Sequence, residues 1–136
     1  MTETQAAAAK APTPLRTIVL VGHCVPDEFL LKNAIRRAVP GAMVEHAGDH
    51  DALKPHLHAG SLLLVNRVLD GWFDAADGIE LIKSLPRGDD GPVAMLISNY
   101  PEAQAAAVAA GARQGFGKSA VHKQQTAALL RDGAAR

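Results

Sequence analysis

Short apolar runs alternate with helix-forming segments along this 136-residue chain, and that order constrains the fold more than any other feature. The runs are apolar at nearly every position, which is typical of strands buried on both faces of a parallel sheet. We predict strands at 17–21, 42–47, 61–65, 93–97 and 115–118. Parallel neighbours need helical crossovers, so the pattern predicts an α/β domain with a parallel five-stranded sheet, doubly wound as (βα)5.

Local signals place a helix in each connection. Pro26, Asp27 and Glu28 suit a first helical turn, because proline fits there and acids face the positive end of the helix dipole. Asp49 is expected to cap a short helix that ends near His58. Later helices are predicted over 79–85, 101–110 and 121–131.

The chain is long enough for one domain with a substantial core. Residues 1–14 contain Thr, Gln, Ala and Pro and are expected to form a flexible tail. The domain itself is predicted over 15–132, and 133–136 are expected to form a frayed C-terminus.

Composition excludes several kinds of partner. A formal net charge of zero argues against binding to nucleic acid or to an anionic membrane, and 4% aromatic content argues against a base-stacking surface. The single cysteine, Cys24, suits a reducing cytosol. Because there is neither a secretory signal nor an apolar run of roughly 20 residues, we expect a cytoplasmic protein.

Three polar side chains stand at the ends of predicted strands. Asn66 follows Leu62–Val65, Ser98 follows Val93–Ile97, and Lys118 lies just past Phe116. Ligands bind outside the carboxyl ends of the strands in an open parallel sheet. We therefore expect Asn66, Ser98 and Lys118 to share one crevice.

Several segments carry a resemblance to a known family. The segments are Asp77–Ile82 (DGIELI), Pro92–Ser98 (PVAMLIS) and Ala109–Ala112 (AAGA). With the three strand-end residues, they make residues 17–131 similar to response-regulator receiver (CheY-like) domains of two-component signal transduction. The alternative to a receiver-like fold is a generic flavodoxin-like or nucleotide-binding α/β domain.

The resemblance implies a phosphoryl-transfer crevice. In that family an acidic pair and an aspartate hold magnesium, the aspartate accepts the phosphoryl group, and a Ser/Thr and a Lys bind its oxygens. Here Ser98 and Lys118 match the last pair, whereas Asn66 replaces the acceptor aspartate. Gly22, His23 and Cys24 occupy the acidic-pair position. An uncharged amide is not a phosphoryl acceptor comparable to a carboxylate, and His and Cys are poor magnesium ligands.

The output side of the family pattern also differs. The switch aromatic falls on Gly115, and Phe116 stands one residue later, where strand alternation points it to the opposite face. Ser119 replaces the proline that commonly follows the lysine. We expect Lys118 to bond Asn66 and Ser98, or to reach Asp70.

The sequence therefore predicts a stand-alone, atypical receiver-like domain, a pseudo-receiver that acts by protein–protein interaction without catalysis or a cofactor. The partner is a signalling or phosphorelay protein, or a second copy that docks through helix four, strand five and helix five. Trp72 and Phe73, in a long loop over 67–77, either contact that partner or fold back over the crevice, and Tyr100 is another candidate contact.

Two alternatives remain open at this point. A divergent receiver would use Asp70 or Asp74 as its phosphoryl acceptor, if the loop brought either one beside Lys118. A metal-binding or redox module would use His23 and Cys24, with Asp70 as a further ligand. His50, His56 and His58 are interpreted as a solvated helix surface, since they cannot share one helix face.

Overall fold

One parallel sheet organises the computed structural model, which describes residues 14–136. Its strands are β1 (Thr17–Val21), β2 (Val44–Ala47), β3 (Ser61–Asn66), β4 (Val93–Ile97) and β5 (Arg113–Phe116). They are ordered β2-β1-β3-β4-β5, and every neighbouring pair is parallel. The predicted α/β fold with a doubly wound five-stranded parallel sheet is confirmed. Residues 1–13 of the expected tail lie outside the described residues.

Helices follow each strand. They are α1 (Val25–Ala38), α2 (His50–Leu53), α3 (Gly78–Ser84), α4 (Pro101–Ala109) and α5 (Gln124–Ala134), with 3-10 turns at Lys54–His56 and Lys118–Ala120. The Asp49 carboxylate accepts a hydrogen bond from Ala52 N at 2.7 Å and so caps α2 as predicted. No helix within residues 14–136 combines the length and apolar character needed to cross a bilayer.

The core lies on both faces of the sheet because the central strands are apolar throughout. In β1, Ile18 and Leu20 face one apolar cluster with α1 and α5, whereas Val19 and Val21 face a second cluster with α3 and α4. Full burial of each such side chain contributes roughly 2 kcal/mol. This two-sided packing fixes the strands, and hence the strand ends that form the crevice.

Several element boundaries differ from the sequence prediction by one to three residues. β2 begins at Val44, two residues later than expected. β5 spans Arg113–Phe116, two residues earlier than predicted at both ends, and its ladder with β4 is irregular between Met95 and Ile97. Lys118 consequently begins a 3-10 turn instead of ending a strand.

The expected frayed segment at 133–136 is ordered against the start of the domain. Helix α5 runs to Ala134, which is fully buried. The Arg16 guanidinium donates to Gly133 O at 3.0 Å, and Arg136 N donates to Pro14 O at 3.1 Å. The first bond satisfies a carbonyl that the helix end leaves open, and the second joins the last residue to the start of the domain, so the end of the chain packs instead of fraying.

Candidate functional site

The carboxyl ends of β3 and β4 and the turn after β5 form a small crevice. Asn66, Ser98, Asn99 and Lys118 line a cavity of about 210 Å³ there. The structure thus brings together the three residues that the sequence places at strand ends. Each of the three is half-buried.

The side-chain amide of Asn66 makes three hydrogen bonds. Its Nδ2 donates to Gly22 O at 3.0 Å and to Val68 O at 2.8 Å, while its Oδ1 accepts from Lys118 Nζ at 3.3 Å. Carbonyl oxygens are acceptors only, so both contacts of Nδ2 require a donor at this position. A carboxylate here would place its oxygens against two carbonyl oxygens.

Lys118 has a partner that sequence reasoning missed. Its Nζ lies 2.6 Å from Asp27 Oδ2, in the first turn of α1. The expected bond to Asn66 is present, whereas among the described residues no bond joins Lys118 to Ser98 or Asp70. The hydrogen bond from Lys118, assisted by one from the Cys24 thiol, lowers the pKa of Asp27 below its ordinary value.

His23 is a buried residue whose ring is fixed by the sheet. Its side chain is 8% exposed, and its Nε2 lies 2.8 Å from Leu64 O. Because that carbonyl only accepts, Nε2 carries the proton and Nδ1 is an unprotonated acceptor, which has no partner within the described residues. Burial lowers the pKa of His23 to about 4, against the opposing effect of the Leu64 hydrogen bond.

The neighbouring site residues do not form a metal centre. Cys24 is half-buried, and no group of three His, Cys, Asp or Glu side chains within residues 14–136 is arranged to hold a metal ion. The magnesium that the fold family implies prefers several oxygen ligands. At the matching positions the chain supplies Gly22, His23 and Asn66, and the Asp27 carboxylate, in the first turn of α1, is bound by Lys118. The residues present do not fit magnesium.

The loop at 67–77 covers the acidic-pair position. Asp70 N donates to Gly22 O at 2.9 Å, and Leu69 lies directly over Gly22. A Cβ at Gly22 would stand 2.7 Å from Leu69 Cδ2, and the backbone there has φ of +74°, a region that favours glycine. The loop therefore fills the space that a magnesium-binding side chain at position 22 would occupy.

The two aromatic residues of the loop behave differently. Phe73 is half-buried and packs against the cluster between the sheet, α3 and α4, whereas Trp72 is 85% exposed. Neither ring lines the crevice: Phe73 packs into the core, and Trp72 is exposed at the surface. Asp70 is exposed, and Asp74 lines a separate cavity with His50 and Ser84, so neither carboxylate stands beside Lys118.

Ser98 and Tyr100 form the opposite rim of the crevice. Ser98 Oγ accepts from Tyr100 N at 3.2 Å, which fixes the turn into α4. The Tyr100 ring is 55% exposed, and the Arg67 guanidinium lies over it at 5.5 Å from the centroid. This cation–π contact joins the loop at 67–77 to the start of α4.

The Gln104 side chain lies beside Gly115, the position that the sequence resemblance assigns to a switch aromatic. The buried Gln104 amide donates to Leu96 O at 2.9 Å and Ser98 O at 3.0 Å, and its Oε1 accepts from Gly115 N at 3.0 Å. A Cβ on Gly115 would overlap Leu96 O. Phe116 is buried on the other face with α1 and α5, as alternation predicts. Nothing in the alanine-rich helix sequence marked Gln104 as buried.

Solved structures share this architecture at low sequence identity. The receiver domain of a DNA-binding response regulator (merR) from Colwellia psychrerythraea 34H superposes with a TM-score of 0.59 at 18% identity, covering 86% of this chain and 96% of that one. A response regulator receiver domain from Rhodospirillum rubrum gives 0.56 at 19% identity, with 85% and 89% covered. RcsB from Salmonella typhimurium gives 0.59 at 19% identity, with 92% and 63% covered.

Sequence comparison adds no closer assignment. No protein-family model matches the chain, and no curated protein matches it at a significant level. The strand order, the position of the crevice and the structural matches agree with one another. The chain has a response-regulator receiver-like fold.

Proposed function

We propose that this chain is a receiver-like signalling domain that acts by protein–protein contact in one fixed state, without aspartyl phosphotransfer and without catalysis of its own. The observation that carries the proposal is the double donation from Asn66 Nδ2 to Gly22 O and Val68 O. The amide at the acceptor position is part of the local structure, because a carboxylate has no proton to give at neutral pH.

The crevice lysine supports the same proposal. In the receiver mechanism the lysine binds the phosphoryl oxygens from within a cluster of carboxylates, whereas here Lys118 is paired with the single carboxylate of Asp27, in α1, at 2.6 Å. Charge-assisted hydrogen bonds of this length are among the stronger polar contacts. A phosphoryl group would have to displace that carboxylate from Lys118.

The proposal has a consequence for regulation. A ligand or modification shifts a conformational equilibrium only by its differential affinity for the two states. Asn66 is uncharged, Lys118 is paired with Asp27, and Leu69 lies over Gly22. The crevice therefore does not undergo the change in charge that aspartyl phosphorylation would bring. Signalling then depends on whether the partner is present. The partner is a protein, or a second copy that docks through α4, β5 and α5.

Chemical phosphorylation tests the proposal. The wild-type chain, Asn66→Asp and Asp70→Asn are incubated with acetyl phosphate and magnesium and examined by intact-mass spectrometry, with a phosphorylatable receiver treated in parallel to show that the donor is active. We expect no added phosphoryl group on any variant. Beryllofluoride with magnesium is expected to leave the amide NMR spectrum of the wild type unchanged.

Each positive result would point to a different error. A phosphoryl adduct on the wild type that disappears in Asp70→Asn would replace the proposal with a divergent receiver that uses a loop carboxylate. Strong magnesium-dependent labelling of Asn66→Asp alone would show that Gly22, His23 and Leu69 do not prevent metal binding. Either result would show that the crevice is open to phosphoryl transfer.

A further inference from the structure

Trp72 is exposed on a backbone that is fixed on both sides. Its N donates to Gly48 O at 3.1 Å, and its carbonyl accepts from His50 N at 3.0 Å. The next residue, Phe73, packs into the core beside α3. The indole is 85% exposed, so it points away from a well-anchored segment.

The rest of the loop explains why this segment is held in place. Gly71 has φ of +123° and lies so close to Gly48 O that any Cβ would overlap it. Leu69 packs over Gly22, and Asp70 N bonds to Gly22 O at 2.9 Å. A side chain presented by a rigid segment loses little conformational entropy when a partner binds it.

The two segments that meet at Trp72 carry one sign of charge. In the two segments that meet at Trp72, residues 48–52 and 69–80, there is no lysine or arginine. Apart from His50, the ionisable side chains there are carboxylates: Asp49, Asp51, Asp70, Asp74, Asp77 and Glu80. The whole chain has zero net formal charge, so this negative charge is a local concentration.

Some of these carboxylates have structural roles and some are open. Asp49 and Asp77 cap helices through Ala52 N and Glu80 N. Glu80 pairs with Lys83 at 2.9 Å. Asp51, Asp70 and Asp74 are exposed and have no ion pair within residues 14–136.

One of these unpaired carboxylates, Asp74, lines a cavity beside the loop. The cavity has a volume of about 470 Å³ and lies between the start of α2 and α3, with His50, Asp74, Glu80 and Ser84 in its lining. Asp74 is two residues from Trp72 and is the unpaired carboxylate of that lining. A cationic side chain placed there would meet the Asp74 carboxylate.

We propose that Trp72, Asp70 and Asp74 form a docking surface for an arginine-bearing segment of a partner protein. A planar guanidinium can stack on the face of an indole while its N–H groups, which lie in the guanidinium plane, donate to a carboxylate. The compact ammonium of lysine cannot make both contacts in this way. Exposed Trp is also among the residues that dominate protein interfaces. This inference rests on the proposed function in that the chain acts by protein contact, and it names the surface and the chemistry of the partner.

Labelled peptides test the surface on the intact chain. The probes are a fluorescein-labelled peptide of alternating arginine and leucine and two matched peptides with lysine or glutamate in place of arginine. We expect saturable anisotropy with the arginine peptide, weaker binding of the lysine peptide and none of the glutamate peptide. Because Trp72 is the single tryptophan, its fluorescence in the wild type reports on this surface alone.

Variants distinguish binding at this surface from non-specific binding to exposed side chains. Trp72→Ala is expected to weaken arginine-peptide binding about thirtyfold, and Asp70→Asn combined with Asp74→Asn about tenfold. The control is Phe29→Ala, another exposed aromatic residue, on α1, for which affinity is expected to stay within about twofold. All four substituted positions are exposed, so far-UV circular dichroism is expected to show folded proteins.

Three results would overturn the inference. Equal binding of the arginine and glutamate peptides would show that charge does not select the partner. Equal losses of arginine-peptide affinity in Trp72→Ala and Phe29→Ala would show that binding is not centred on Trp72. A concentration-dependent dimer in sedimentation that Trp72→Ala abolishes, without peptide binding, would assign the surface to a second copy of the chain. Phosphorylation of the wild type would instead overturn the proposed function and leave these peptide results standing.

Discussion

Lys118 Nζ lies 2.6 Å from Asp27 Oδ2, so the turn after β5 is joined to the first turn of α1 across the crevice. The two side chains are 28% and 30% exposed, and solvent therefore screens the pair only in part. Lys118 also reaches Asn66 Oδ1 at 3.3 Å. One cation thus links α1, β3 and the turn after β5.

A double-mutant cycle measures that ion pair. Asp27→Asn, Lys118→Met and the combined variant are compared in urea unfolding at pH 7, and we expect a coupling free energy of about 1 kcal/mol. The hydrogen bond from Lys118 lowers the pKa of Asp27, so its contribution is present at neutral pH and is lost as pH falls through the folded-state pKa. The cycle repeated at pH 2.5 is expected to show less coupling. Equal coupling at both pH values would contradict an ionic contact.

Asn66→Asp tests whether the amide at the acceptor position is structural. The variant loses two donors and sets carboxylate oxygens against Gly22 O and Val68 O, at a cost of about 1–3 kcal/mol in the free energy of unfolding. Asn99→Asp is the matched control, because Asn99 Oδ1 only accepts, from Ser119 N and Oγ. We expect the control to change stability by less than about 0.5 kcal/mol. Similar urea midpoints for the two variants would show that the donor role of Asn66 is unimportant.

Much of the fold and part of the crevice follow from local pattern. Continuous apolar runs identify buried parallel strands, and the carboxyl ends of such strands lie at one edge of the sheet. That is sufficient to bring Asn66 and Ser98 together without any knowledge of loops. The capping role of Asp49 is also local, since its partner Ala52 N is three residues away.

The other features depend on contacts between distant parts of the chain. Asp27 and Lys118 are 91 residues apart, and an acid in a first helical turn already has a sufficient local reason to be there. The position of Leu69 over Gly22 depends on the path of a loop that has no periodic pattern. Gln104 lies among alanines in α4, where helix propensity explains the sequence equally well for a buried or an exposed side.

Gly22→Ala measures how firmly the loop fills the acidic-pair position. Both Gly22 and Gly41 have positive φ, but a Cβ at Gly41 meets nothing within 4 Å, whereas one at Gly22 meets Leu69 Cδ2 at 2.7 Å. Gly41→Ala thus reports backbone strain alone, of about 1–2 kcal/mol. We expect Gly22→Ala to cost about 1 kcal/mol more in thermal or urea unfolding. Equal costs would mean that Leu69 moves aside freely and that the position is open to larger side chains.

His23 is expected to make stability fall between neutral and mildly acidic pH. Burial lowers its folded-state pKa to about 4, against an ordinary value of 6.5, so in this interval the unfolded chain binds the proton and the folded chain does not. Stability attributable to neutral His23 is therefore full above pH 6.5 and declines as pH falls, until the folded state is also protonated near pH 4.

The variant His23→Gln isolates that effect, because an amide can still donate to Leu64 O but does not titrate. Between pH 7.5 and pH 5 the wild type is expected to lose about 2 kcal/mol more unfolding free energy than the variant. Urea unfolding at the two pH values measures both losses, and contributions from other ionisable groups cancel in the difference. Parallel pH profiles for the two proteins would show that the ring is protonated in the folded state at an ordinary pH, which would require an acceptor for Nδ1 and hence a rearranged crevice.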